Sequence, residues 1–114
     1  MTQARRDLGR SGEDAVAAWY VDHGYQVVVR NWSCREGELD LVVRRGRTFV
    51  FCEVKTRTSD AFGAPQEAVT RTKQTRIRHL AARWLAEDAV RAVAIRFDVA
   101  SVLAGKVEVL EGAF

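Results

Sequence analysis

Sulfur, imidazole and proline are scarce in this chain, and each scarcity narrows what the protein can be. Its 114 residues include two cysteines, two histidines and one proline. Cys34 and Cys52 lack metal-ligand spacing, and strand alternation would put Cys52 on the face opposite Glu53 and Lys55, so both are expected as reduced, structural thiols. His23 and His79 have no spacing that suits zinc. The proline, Pro65, closes a loop-like segment, and no repeat or low-complexity stretch divides the rest. A single domain over residues 1–114 is expected, with 47% hydrophobic content to build its core. No apolar run is long enough to cross a membrane. The polar, arginine-rich start from Met1 to Gly12 does not have the form of a secretion signal, so the expected setting is cytoplasmic, with no membrane partner.

What the chain does have is a clear order of periodicities. Residues Leu8 to Asp22 read as a helix stopped near Gly24, a suitable C′ residue. One stripe on it holds Leu8, Ala15 and Trp19, and a second holds Val16, Ala17 and Tyr20. Glu13 falls on the second stripe, either as an acid aimed along an apolar surface or as a helix-opening Glu that favours the dipole. Tyr25 to Arg30 reads as a strand, then a polar turn over Asn31 to Gly37, then a hairpin. Thr56 to Pro65, with Ser59-Asp60, Gly63 and Pro65, reads as a mobile loop beside the hairpin. In a second helix Ile77, Leu80, Ala81, Trp84 and Leu85 repeat at i, i+3, i+4, i+7, i+8, which makes Trp84 a core residue rather than a platform for a base. Gln74, one turn before Ile77, either reaches the sheet or simply edges the helix. Val93 to Val99 reads as a strand with Val93, Ile95, Phe97 and Val99 on one face, and Lys106 to Leu110 as a short last one. The fold class is therefore α/β, an αβββαβ core with a mixed central sheet flanked by helices.

The segment Gly37 to Lys55 departs from ordinary strand patterning. Two apolar, β-prone runs flank Arg45-Gly46, yet they carry acids where a half-buried strand would carry hydrophobic residues. A two-residue turn at Arg45-Gly46 would oppose Arg44 with Arg47, Val42 with Phe49, Asp40 with Phe51 and Glu38 with Glu53. Asp40, Glu53 and Lys55 would then share one sheet face, with Asp40 and Glu53 as diagonal neighbours roughly 7 Å apart at Cα. Two carboxylates so close repel unless a cation sits between them, and Mg²⁺ is commonly held by one or two carboxylates plus waters and phosphate oxygens. A lysine on the same face can carry charge to a phosphate or orient a water. The plainer alternative is a cross-strand salt bridge of Lys55 on a solvated face.

In this hairpin Asp40 followed by Glu53-Val54-Lys55 resembles the PD-(D/E)-x-K nuclease superfamily. More narrowly, Gly37-Glu38-Leu39-Asp40-Leu41, Phe51-Cys52-Glu53-Val54-Lys55-Thr56-Arg57, Phe62-Gly63-Ala64-Pro65 and Lys73-Gln74 together resemble the bacterial YraN family (UPF0102), considered similar to archaeal Holliday-junction resolvases. The match runs from about Gly9 to Asp98. It implies a restriction-endonuclease-like fold and a Mg²⁺ (or Mn²⁺) site. Asp40, Glu53 and the main-chain carbonyl of Val54 are the implied ligands, Lys55 the catalytic lysine and Glu13 an auxiliary acid in reserve for the metal. Gln74 takes a supporting catalytic role. The superfamily often has Pro before the Asp, where this chain has Leu39; that position is not a ligand.

Net charge is +3, with the excess carried by arginine. Arg5, Arg6 and Arg10 lie about the start of the first helix, Arg44, Arg45 and Arg47 crowd the hairpin turn, and Arg71, Lys73, Arg76 and Arg78 open the second long helix. Around a carboxylate site these clusters favour a nucleic-acid backbone, DNA in the first instance; singly, each is an ordinary solvated face. The expected activity is endonucleolytic hydrolysis of DNA phosphodiesters, on branched or repair and recombination intermediates. Symmetric cutting of a four-way junction would call for a homodimer. The competing expectations are a nucleic-acid-binding module with little cleavage, and a scaffold with a charged sheet face.

Overall fold

The expected order is realised as α1 (Gln3–Asp22), β1 (Gln26–Cys34), β2 (Gly37–Arg45), β3 (Thr48–Arg57), α2 (Arg71–Glu87), β4 (Ala94–Leu103) and β5 (Lys106–Leu110). This is a computed structural model, and it describes residues 3–57 and 69–114. The segment expected as a mobile loop lies largely outside the described residues, and Thr56 and Arg57 belong to β3 instead. The five strands form one sheet in the order β1-β2-β3-β4-β5. β1, β2 and β3 are an antiparallel meander, β3 and β4 run parallel, and β5 returns antiparallel to β4. The sheet is therefore mixed.

Alternate residues of the central strands feed two cores. Val42, Phe49, Phe51, Phe97 and Val99 pack with Ile77, Leu80, Ala81 and Trp84 of α2. Leu41, Val43, Val50, Cys52, Ala100 and Val102 pack with Val16, Ala17 and Tyr20 of α1. One helix thus covers each face, which is why β3 reads as a nearly continuous apolar run. Of the two stripes on α1, the Val16, Ala17, Tyr20 stripe is the buried one, and Leu8 is exposed. Trp84 is core, and both cysteines are free thiols. On β4 the expected apolar face holds only from Phe97 onward. Val93 precedes the strand and Ile95 is exposed, because α2 ends at Glu87 and leaves this end of the face uncovered.

Gly24 ends α1 as its position suggested. Its φ of +88° is left-handed, and the Gly24 N–H donates to Val21 O while the Tyr25 N–H donates to Tyr20 O. These bonds form a Schellman closure, completed by edge-on packing of the Tyr20 and Tyr25 rings 5.2 Å apart. On the same face Asp98 is fully buried. It accepts from Tyr20 Oη at 2.6 Å, from Arg96 at 2.8 and 2.9 Å and from the Gly112 N–H at 3.0 Å. That network satisfies a charge in the core and ties α1, β4 and the carboxyl-terminal segment together.

Candidate functional site

The site lies where β2 and β3 separate. The turn occupies Gly46-Arg47, one residue later than expected, so Arg45 pairs with Thr48, Val43 with Val50 and Leu41 with Cys52. Gly46 supplies the positive φ, +62°, that the tight connection needs. Moving the turn by one residue shifts every partner by two and leaves faces unchanged. Asp40 and Glu53, expected as diagonal neighbours, each lie one residue beyond the last pair, Leu41 with Cys52, and close enough for the Glu53 charge to act on Asp40.

The ladder stops at that step. The Val54 N–H donates not to a carbonyl of β2 but to Asp40 Oδ2, at 2.9 Å. Leu39 and Leu41, which strand alternation would put on one face, belong to opposite cores, so the alternation breaks at Asp40. Asp40 thus sits in the opening between strands, with Glu53 across from it. The carboxyl of Asp40 is pushed up to about 7, first by burial and then by the charge of Glu53, against the pull of the Val54 N–H. Among the described residues no lysine or arginine pairs with it.

Glu53 is 8% exposed and takes two cations on one oxygen. Its Oε1 lies 2.8 Å from Lys73 Nζ and 3.5 Å from Lys55 Nζ. Burial and the neighbouring Lys73 pull the Lys55 ammonium below the usual lysine range. For Lys73 burial acts downward too, but its hydrogen bond to Glu53 prevails and the balance is upward. In the sequence Lys73 stood out only as part of a motif and of a basic cluster. Its docking on Glu53 depends on the first turn of α2, which Thr70 caps by accepting from the Lys73 N–H at 3.2 Å.

The supporting residues fall into two groups. Glu13 is half-buried beside Glu38 and Asn31. With the Asn31 amide nitrogen turned toward the acids, it donates to Glu13 Oε1 at 2.6 Å and to Glu38 Oε1 at 3.3 Å. Burial raises the Glu13 carboxyl, Arg30 opposes that, and Glu38 adds to it. Glu13 therefore borders Asp40 from the α1 side, while Lys73 borders Glu53 from α2. Gln74 is directed elsewhere: its Nε2 donates to Val69 O at 3.1 Å and fixes the entry into α2.

Among the described residues no three His, Cys, Asp or Glu side chains converge as a ligand set. The Asp40–Glu53 pair nevertheless suits a hard divalent cation, which needs only one or two carboxylates beside waters and substrate oxygens. Asp40 is half-buried, and among the described residues it has no cation of its own and its Oδ1 has no hydrogen-bond donor. Val54, whose main-chain carbonyl is the third expected ligand, is tied to Asp40 through its N–H.

The basic clusters are less uniform than their spacing suggested. Arg44, Arg45 and Arg47 lie at the far end of the hairpin. Arg44 bonds Gln26, Arg45 sits 4.6 Å over the Tyr25 ring and Arg47 donates to Arg91 O. Arg78 is stacked on Phe97 and Phe114, at 4.8 and 5.6 Å. Arg71 and Arg76 remain exposed on the end of α2 that carries Lys73.

The model of an uncharacterised protein family, UPF0102, matches residues 12–102, which takes in every site residue above. The chain belongs to the UPF0102 family. A UPF0102 protein of Beutenbergia cavernae is 52% identical over 115 residues, covering 96% of this chain and 98% of its own. One from Frankia casuarinae is 49% identical over 98% of this chain and 99% of its own length, and one from Moorella thermoacetica 45% identical over all of both. The UPF0102 match therefore extends over nearly the whole αβββαβ architecture.

Proposed function

We propose that this UPF0102 protein is a divalent-metal-dependent endonuclease acting on DNA. One observation carries the reading. Asp40 and Glu53 meet at the opening of the sheet, and Asp40 is half-buried with no lysine or arginine paired to it among the described residues, so that its anion is disfavoured until a cation arrives. A bound Mg²⁺ or Mn²⁺ would polarise a phosphodiester and acidify its water. The Val54 N–H holds the Asp40 carboxyl against β3, leaving Oδ1 for the ion. Lys55, lowered by burial and by Lys73, is suited to orient a water or to meet charge developing on the phosphate. Glu13 and Gln74 act at one remove, through the acidic border of the site and the seating of α2.

A nucleic-acid-binding module is the second reading, and the pairing of Glu53 with Lys73 at 2.8 Å and Lys55 at 3.5 Å favours it, since those cations already neutralise a carboxylate that a metal would need. Incubating the purified protein with duplex, single-stranded and branched DNAs in Mg²⁺ or Mn²⁺ separates the two. Divalent-dependent cleavage that disappears in Asp40→Ala is the expected result. Binding without cleavage on every substrate would leave the module.

A further inference from the structure

We propose that Lys73 is the site's own counter-ion, competing with the divalent cation for Glu53 and, once displaced, positioning a phosphate. This rests on the metal reading above and goes beyond it. Glu53 Oε1 holds two ammonium groups, Lys73 at 2.8 Å and Lys55 at 3.5 Å. Two like charges so close are tolerated only because the buried carboxylate lies between them. A divalent cation that takes up the Glu53 charge removes that reason, and repulsion then favours the departure of one lysine.

The geometry decides which. Lys55 rises from within β3's parallel pairing with β4, opposite Ser101, with two further pairs beyond it. Lys73 approaches from the first turn of α2 with the more exposed side chain, 35% against 27%. It has a flexible stem and a way out. The surroundings it would swing into suit an anion, because the first turn of α2 carries the positive end of the helix dipole and the exposed Arg71. The ligand class is a phosphodiester oxygen of nucleic acid. Lys73 is in this account a positioning residue, with opposite effects on the two ligands.

The test is Mn²⁺ titration by calorimetry, together with DNA affinity in saturating Ca²⁺, for the wild type, Lys73→Ala and Lys73→Met. The methionine variant keeps the stem and removes the charge, should the alanine variant lose its fold. Expected is Mn²⁺ affinity several-fold to about tenfold tighter in the variants, with DNA affinity in Ca²⁺ weakened. A lysine that merely holds the fold would lower both. Unchanged or weaker Mn²⁺ binding in the variants, beside clear binding by the wild type, would overturn the role of Lys73 and leave the metal reading standing. Absence of Mn²⁺ binding in all three would remove both.

Discussion

At the scale of single residues, Asp40 states the problem the site has to solve. Its proton is held more tightly in the folded chain, at about 7 against an ordinary 3.8, so the folded state binds more protons through that interval. Protonated Asp40 contributes stability that is fully present below about pH 4 and is lost as pH rises through about 7. Asp40→Asn keeps an acceptor for the Val54 N–H and carries no charge. In metal-free buffer the variant should therefore gain on the wild type as pH rises from about 4 to about 7, after which the gap levels off. Chemical denaturation across that range measures it, and a gap that does not change with pH would mean that Asp40 is solvated as an ordinary surface acid. Asp40, Glu53 and Lys55 were legible because strand alternation makes an acid on an apolar face conspicuous. Lys73 was not, because its contact joins the start of α2 to a strand twenty positions away and has no local signature.

Among the elements, α1 meets the end of β3 in one close approach, one residue before Glu13. A methyl group on Gly12 would lie 2.1 Å from Thr56 Oγ1 and within 3.4 Å of two more atoms of that side chain, whereas at Gly9 nothing lies within 4 Å. Gly9→Ala should stabilise the protein by about 0.5–1 kcal/mol, the helix preference of alanine over glycine. Gly12→Ala should destabilise it despite the same preference, since the overpacking of α1 against β3 costs about 1–3 kcal/mol. Thermal melts of the two variants check the opposite signs. The order and type of elements followed from periodicity, and β5 was bounded as observed, but the hairpin turn was placed one residue early. Arg45-Gly46 and Gly46-Arg47 are both plausible turns. Pairing changes by two when the turn moves by one, so Phe51 pairs with Val42 rather than with Asp40, and Asp40 is left beyond the last pair. The break in alternation at Asp40 had no local signal, since Leu39 and Leu41 are equally apolar.

Across the whole molecule, the two ends of the hairpin divide the labour. The carboxylates and Lys73 gather at the open end, while the arginines of the turn are engaged at the other with Gln26, Tyr25 and the Arg91 carbonyl. Arg71 and Arg76, exposed toward the start of α2, are cations that a DNA backbone near the site would meet. Arg71→Gln with Arg76→Gln should weaken binding to all sequences and lower the salt slope by about one per lost phosphate contact, as read by fluorescence anisotropy over a range of salt. Arg78→Gln should instead lower the melting temperature, because that guanidinium lies over Phe97 and Phe114. Whether Lys55 acts in a metal-dependent transition state rather than in binding is decided by single-turnover cleavage and DNA affinity measured together for wild type and Lys55→Ala in Mg²⁺. The expected result is a rate lower by roughly 10² or more with affinity nearly unchanged. Affinity falling in step with the arginine variants, with no cleavage by the wild type on any substrate, would contradict it.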